Sequence, residues 1–230
     1  MRAGGKGWLM DVGEAVAARR SVRGFLDTPV EAGLLHDLAV RAGRAATGGN
    51  IQPWHIDIVH GDALVELKTI MAGKLAHGET ETPGYDIYPR EMEDRYKGRT
   101  FAIGEAMYAH LGIPREDKVA RRAWFARNFA FFGAPAAYFC TVDRRMGPPQ
   151  WADLGMYLQN LMLLAVEAGL ATCPQECWAV YPQTVETFLG TPAERMLFCG
   201  VAIGFEDADV AANRLRSGRA PEEEWLTERR

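Results

Sequence analysis

Arg19, Arg20, Ser21 and Arg23 fall within one short run, Arg-Arg-Ser-Val-Arg. Guanidiniums present planar forks of donors and a serine adds a short one, so this turn has the chemistry of a phosphate site. The same residues at the end of a helical pattern also read as a solvated basic terminus that complements the helix dipole. A second group is Thr47-Gly48-Gly49-Asn50, followed by Gln52-Pro53-Trp54. Adjacent glycines let a backbone approach a flat ligand, and Asn50 and Gln52 offer amide donors and acceptors. A plain turn ahead of a strand has the same composition. Cys173-Pro174-Gln175-Glu176-Cys177 sets a carboxylate between two thiols. A metal site needs further ligands at compatible spacing, and His36, His55, His60, His77 and His110 are scattered away from it, so no metal is expected. Nucleophilic chemistry at either cysteine needs a cation or a histidine beside it, which spacing alone does not supply. The fourth group, Asn213 to Pro221, carries Arg214, Arg216 and Arg219. It is a basic tail alone, or the second wall of a phosphate pocket if it folds against the first turn.

Elements must hold these groups in place. From Asp11, the residues Val12, Ala15, Val16 and Arg19 recur at helical spacing and predict a helix that ends in the basic turn. Thr28 is expected to cap a second helix whose apolar face is Leu34, Leu35, Leu38, Ala39 and Ala42. His55 to Val59 alternates as a strand does, and Leu64, Leu67, Met71 and Leu75 restart a helix. Ala134 to Val142 and Met196 to Ile203 are continuously apolar and short, the pattern of strands buried on both faces, while Leu154 to Gly169 is a long apolar helix. The stretch from about 77 to 124 opens polar and turn-rich and reads as a lid or insertion. Beyond about 205 the chain is charged and irregular, ordered only if something such as a partner subunit holds it. The expected fold class is α+β, helices packed around a small mixed sheet, in a single domain over 1–230.

Composition narrows the function. With 26 Lys+Arg against 30 Asp+Glu, the net charge of −4 gives no basic field for nucleic acid. The most apolar stretch, Leu154 to Leu170, is broken by Gln159, Asn160 and Glu167 and is too polar to span a bilayer, so no membrane partner is expected. The N-terminus reaches Asp11 and Glu14 with no apolar segment before them, which predicts no secretory signal. Cys140, Cys173, Cys177 and Cys199 sit in apolar surroundings, as reduced buried thiols of a cytoplasmic protein do. Neither a G-x-G-x-x-G nor a P-loop pattern is present, which removes the common dinucleotide and nucleoside-triphosphate folds.

Taken in order, Arg19-Arg20-Ser21-Val22-Arg23, the small-residue loop ending Asn50-Ile51-Gln52-Pro53-Trp54, Gly169-Leu170-Ala171-Thr172-Cys173-Pro174-Gln175, Ala202-Ile203-Gly204-Phe205 and Arg219-Ala220-Pro221 resemble the nitroreductase family of FMN-dependent oxidoreductases, from about Asp11 to Pro221. The resemblance implies a dimeric nitroreductase-like fold, a homodimer with shared flavin sites, FMN as cofactor and NADH or NADPH as electron donor. It also implies a small electron-poor aromatic substrate, such as a nitro compound or quinone. Carried over by position, Arg19, Arg20 and Ser21 hold the phosphate and ribityl chain, and Arg219 closes on the phosphate. Arg23 lies near the N1 and O2 edge of the flavin, where a cation raises its reduction potential. Thr47, Gly48 and Asn50 come from the opposite subunit, and Pro174, Gln175 and Glu176 face the ring near N5 through backbone groups. Ser217 stands where the family often has a second basic residue, which leaves Arg216 to replace it or the phosphate with fewer partners. Asn128 is the candidate for the other pyrimidine-edge contact. Within the same fold the alternatives are reductive dehalogenation, enone reduction and flavin binding without turnover; a plain phosphate binder is the reading outside it.

Overall fold

The two continuously apolar runs become the centre of a sheet. In the computed structural model, which describes residues 10–230, the strands are β1 (His55–His60), β2 (Ala136–Asp143), β3 (Ala171–Gln175) and β4 (Arg195–Gly204), in the order β1-β2-β4-β3. The first residues, where a secretory signal would lie, fall outside the described residues. Because β2 and β4 are interior strands, both of their faces are buried, and successive side chains serve opposite cores. Tyr138, Cys140 and Val142 of β2 pack on one side and Ala137 and Phe139 on the other.

Helices cover both faces. On one side lie α2 (Ala32–Ala42) and α6 (Pro148–Glu167), which meet Tyr138 and Val201 through Leu35, Leu38, Tyr157 and Leu161. Across α6 lies α1 (Val12–Ala18). On the other side α3 (Gly61–His77), α5 (Lys118–Ala126) and α7 (Pro182–Leu189) bury Leu67, Met71, Trp124 and Val185 around Phe131, Phe139 and Trp178. The remaining helix, α4 (Asp94–His110), buries no side chain. The polar stretch before it is irregular yet fastened: Gly84 N–H donates to Ala179 O at 2.9 Å, Tyr85 donates its hydroxyl to Phe198 O, and Glu81 accepts from Gln183 N–H at 2.7 Å.

Two expectations change, and one strand goes beyond them. All four strands pair antiparallel, not as a mixed sheet, and parallel pairing is limited to an isolated bridge between Ser21 and Thr172. Apolar runs report burial but not direction, which the long helical connections leave free. Glu31, not Thr28, caps α2, since its carboxylate accepts from Gly33 N–H at 2.9 Å and Leu34 N–H at 2.7 Å. The Cys173-Pro174-Gln175 segment, which proline disguises, is an edge strand. Thr172 O turns away from β4 to accept Val22 N–H at 2.9 Å, so by the alternation of antiparallel pairing the imide nitrogen of Pro174 also faces outward, where the ladder needs no donor.

Candidate active site

A cleft of about 460 Å³ opens where β3 ends. Arg23, Pro174, Gln175, Glu176 and Asn128 line it, facing Ile103 and Met107 of α4, Phe125 of α5 and Leu215. The sequence separates these residues widely, and the reasons they meet are local. Asp11 caps α1, accepting Glu14 N–H at 2.8 Å, and Arg19 ends it with extended backbone. The chain then runs along the outer edge of β3, which delivers Arg23 to the cleft.

Asn213 fixes Arg23 in place. It is buried, its Oδ1 accepts Arg23 N–H at 2.7 Å, and its Nδ2 donates to Gly24 O at 2.9 Å and Asp207 O at 2.8 Å. Gln175 is likewise spent inside the protein: Nε2 donates to Asn128 O at 2.8 Å and to Asn128 Oδ1 at 3.2 Å, while Oε1 accepts from Trp178 Nε1 at 3.4 Å. Asn128 in turn donates to Phe125 O at 2.8 Å. The amides of Gln175 and Asn128 therefore hold one another, and a ligand here meets backbone from Pro174 to Glu176. Beneath them the ring of Trp178 stacks on Phe131 with centroids 4.8 Å apart and occupies the space a side chain at position 200 would need. A Cβ on Gly200 would stand 2.6 Å from Trp178 Cδ1, so glycine is required by close approach.

The arginines divide. Arg20 is paired with Glu206 and lines a separate small cavity beside Thr172. Arg19 and Arg23 have no acidic partner among the described residues, which leaves both guanidiniums and the Ser21 hydroxyl free for a ligand. Arg216 and Arg219 line a neighbouring cleft against α4 that shares Thr100, Ile103 and Leu215 with the first. There Arg219 donates to Ser217 Oγ at 2.9 Å, in a cleft whose lining does not include Arg19.

The loop from Thr47 to Asn50 does not reach the Arg23 cleft of its own chain; it sits on the first half of α6. Asp153 of α6, only 4% exposed, accepts Thr47 Oγ1 at 2.9 Å and Gly48 N–H at 3.2 Å through one oxygen. Thr47 Oγ1 also accepts Gln52 N–H at 3.0 Å. Gly49, Asn50 and Gln52 all adopt positive φ, near 58°, 59° and 52°. This is a tightly turned, exposed loop whose shape is set by one buried carboxylate.

The comparisons with known proteins agree with this layout. A profile described as the nitroreductase family matches residues 16–205. The chain belongs to the nitroreductase family. It is similar to the FMN and NADPH-dependent nitroreductase NfnB from sphigopyxis sp. strain HMH, with 46% identity and a TM-score of 0.92 over 95% of this chain and 99% of that one. NfnB from Mycobacterium smegmatis, solved in complex with NADPH, shares 28% identity with a TM-score of 0.89, covering 96% and 100% of the two chains. Among characterised sequences, 4-nitrobenzoate reductase of Pseudomonas putida is 32% identical over 91% of each chain. Nitrobenzene nitroreductase of Ectopseudomonas oleovorans is 32% identical over 94% of this chain and 96% of that one.

In this nitroreductase-family chain, two positioning residues escape a reading by motif. Asn213 looks like the start of a basic tail and Asp153 like a polar break in an apolar helix. A signal for Asp153 does exist in the sequence, since an acidic residue among otherwise apolar helix positions needs a donor nearby. Burial disfavours the thiolate at both cysteines of the Cys173-to-Cys177 segment. Burial pushes the Cys173 thiol up to about 11 despite the opposing pull of Arg23, and burial raises Cys177 further.

Proposed function

We propose that the chain is an FMN-dependent oxidoreductase that uses NAD(P)H to reduce small nitroaromatics, as a homodimer with two shared sites. The observation that carries the reading is the convergence of Arg23 with Pro174, Gln175 and Glu176 on one cleft whose far wall is apolar and aromatic. The donor set fits the cofactor. Two unpaired guanidiniums, Arg19 and Arg23, flank the Ser21 hydroxyl at the edge of β3, while Arg20 is already neutralised by Glu206. Arg19 and Ser21 hold the phosphate end, with Arg219 closing on it. Arg23 faces the pyrimidine edge, and the backbone from Pro174 to Glu176 meets the ring.

Held by these residues, FMN would supply two-electron transfer between the nicotinamide and the nitro group, with the overall balance Ar–NO2 + NADPH + H+ giving Ar–NO + NADP+ + H2O. The chain's own part is electrostatic and positional. The guanidinium of Arg23 stabilises negative charge at the pyrimidine edge, and Asn213 holds its backbone against the C-terminal segment. Side chains of α4 and α5 exclude water from the acceptor's face.

Thr47, Gly48 and Asn50 complete the site from the partner copy. In support of a dimer, Val12 and Val16 of α1 and Met156 of α6 are exposed on two helices that pack together, an apolar surface suited to burial against a second subunit. The four free cysteines and a nicotinamide donor suit the cytoplasm; among the described residues no helix is long and apolar enough to cross a membrane.

The test is direct. The purified protein should carry FMN and oxidise NADPH or NADH when nitrobenzene or a quinone is added. A colourless protein that does not take up FMN, or one that binds it and turns over no acceptor, overturns the reading.

A further inference from the structure

We infer that the cleft selects neutral nitroarenes and disfavours those carrying a carboxylate, a substrate class that rests on the function proposed above. Of the charged side chains on its lining, Arg23 stands on the wall given to the cofactor, and the other, Glu176, is an exposed carboxylate. The opposite wall is Ile87, Ile103, Met107, Tyr108, Phe125 and Leu215. The two arginines of α4 and α5 nearest that wall are already paired, and Arg216 and Arg219 point into the neighbouring cleft, where they donate to backbone carbonyls and Ser217. Arg121 lies 4.2 Å from the Tyr108 ring but makes a two-pronged pair with Glu105, at 2.5 and 3.0 Å, and Arg99 pairs with Glu224. A neutral ring loses little on entering such a cleft. An anionic substituent loses its hydration, finds neutral hydroxyls of Tyr88, Thr100 and Tyr108 but no cation on that wall, and meets the like charge of Glu176.

The inference separates this chain from relatives named 4-nitrobenzoate reductases. Substrate rejection of this kind follows from leaving a charge unpaired and is larger than the effect of adding or removing a methylene.

The deciding pair is 4-nitrobenzoate and its methyl ester, because the ester keeps an electron-withdrawing para carbonyl without the charge. With FMN-loaded enzyme and NADPH, the ester and nitrobenzene should exceed the acid in kcat/KM by at least about tenfold, the difference lying mainly in KM. Met107→Lys, which adds a cation to the apolar wall, should narrow the gap by raising the acid's kcat/KM. Equal or better turnover of the acid by the unaltered enzyme overturns the inference. If no nitroarene of either charge is reduced, the proposed function fails instead. The charge preference is then still decided by quenching of flavin fluorescence, where the ester must bind more tightly than the acid and the reverse order refutes it.

Discussion

Asp153→Ala removes the one acceptor shared by Thr47 Oγ1 and Gly48 N–H, at 2.9 and 3.2 Å. A hydrogen bond to a charged group contributes about 1.5–3 kcal/mol net. Two donors share one oxygen here, but Gly48 is exposed and Thr47 half-buried, so water replaces part of what is lost and the total stays near about 2 kcal/mol. For a chain of this size that corresponds to a fall in Tm of roughly 4–8 °C. Asp153→Asn keeps an acceptor of the same shape and should lose about half as much. The informative readout is the loop itself. Thr47, Gly48 and Asn50 are given to the partner's flavin, so Asp153→Ala should weaken FMN binding by about tenfold, while Asp153→Asn recovers most of it. Differential scanning fluorimetry and FMN titration of the apo-protein read the two effects. Unchanged Tm and unchanged Kd in Asp153→Ala would show that the loop holds its shape without the carboxylate.

Other perturbations reach other parts of the account. Arg19→Ala should weaken FMN binding by about 10–150-fold, the equivalent of about 1.5–3 kcal/mol. Arg20→Ala, which only breaks the pair with Glu206, should leave the FMN Kd nearly unchanged; titration of both variants checks the division, and the opposite order refutes it. Gly200→Ala drives a Cβ to 2.6 Å from Trp178 and should destabilise by about 1–3 kcal/mol through overpacking, seen as a lower urea midpoint and altered tryptophan emission. Stability should also fall on the alkaline side. Burial holds the Cys173 thiol at about 11, whereas an unfolded thiol titrates near about 8.5, so between those values the folded chain keeps a proton that the unfolded chain has lost. Urea midpoints should therefore decline across that window, and a flat profile would contradict the burial argument.

What could be read in the sequence was the part governed by local rules. Continuous apolar runs announce β2 and β4 because interior strands are buried on both faces, and helical spacing announces α3 and α6. What could not be read depends on partners far along the chain. Pro174 hides an edge strand that pairs with β4 far along the chain and meets Val22 on its outer side. Phe131 and Phe132, both buried, adopt positive φ, near 52° and 54°, a conformation no composition rule assigns to phenylalanine and one that packing against Trp178 and Trp124 holds in place. The site divides in the same way. The arginine turn and the Cys173-to-Cys177 segment are visible as motifs, whereas the inward pull of Glu206 on Arg20 and the clamps of Asn213 and Asp153 are contacts across more than a hundred positions.

The central claim is that one flavin at the Arg23 cleft carries electrons from a nicotinamide to a nitro group. An anaerobic titration of the FMN-loaded protein tests it without steady-state kinetics. Adding NADPH should bleach the oxidised flavin band, and adding nitrobenzene afterwards should restore it, with Arg23→Gln slowing the bleaching but not the return. A band that NADPH leaves untouched, or one that bleaches and then fails to return with any nitroarene, contradicts the account.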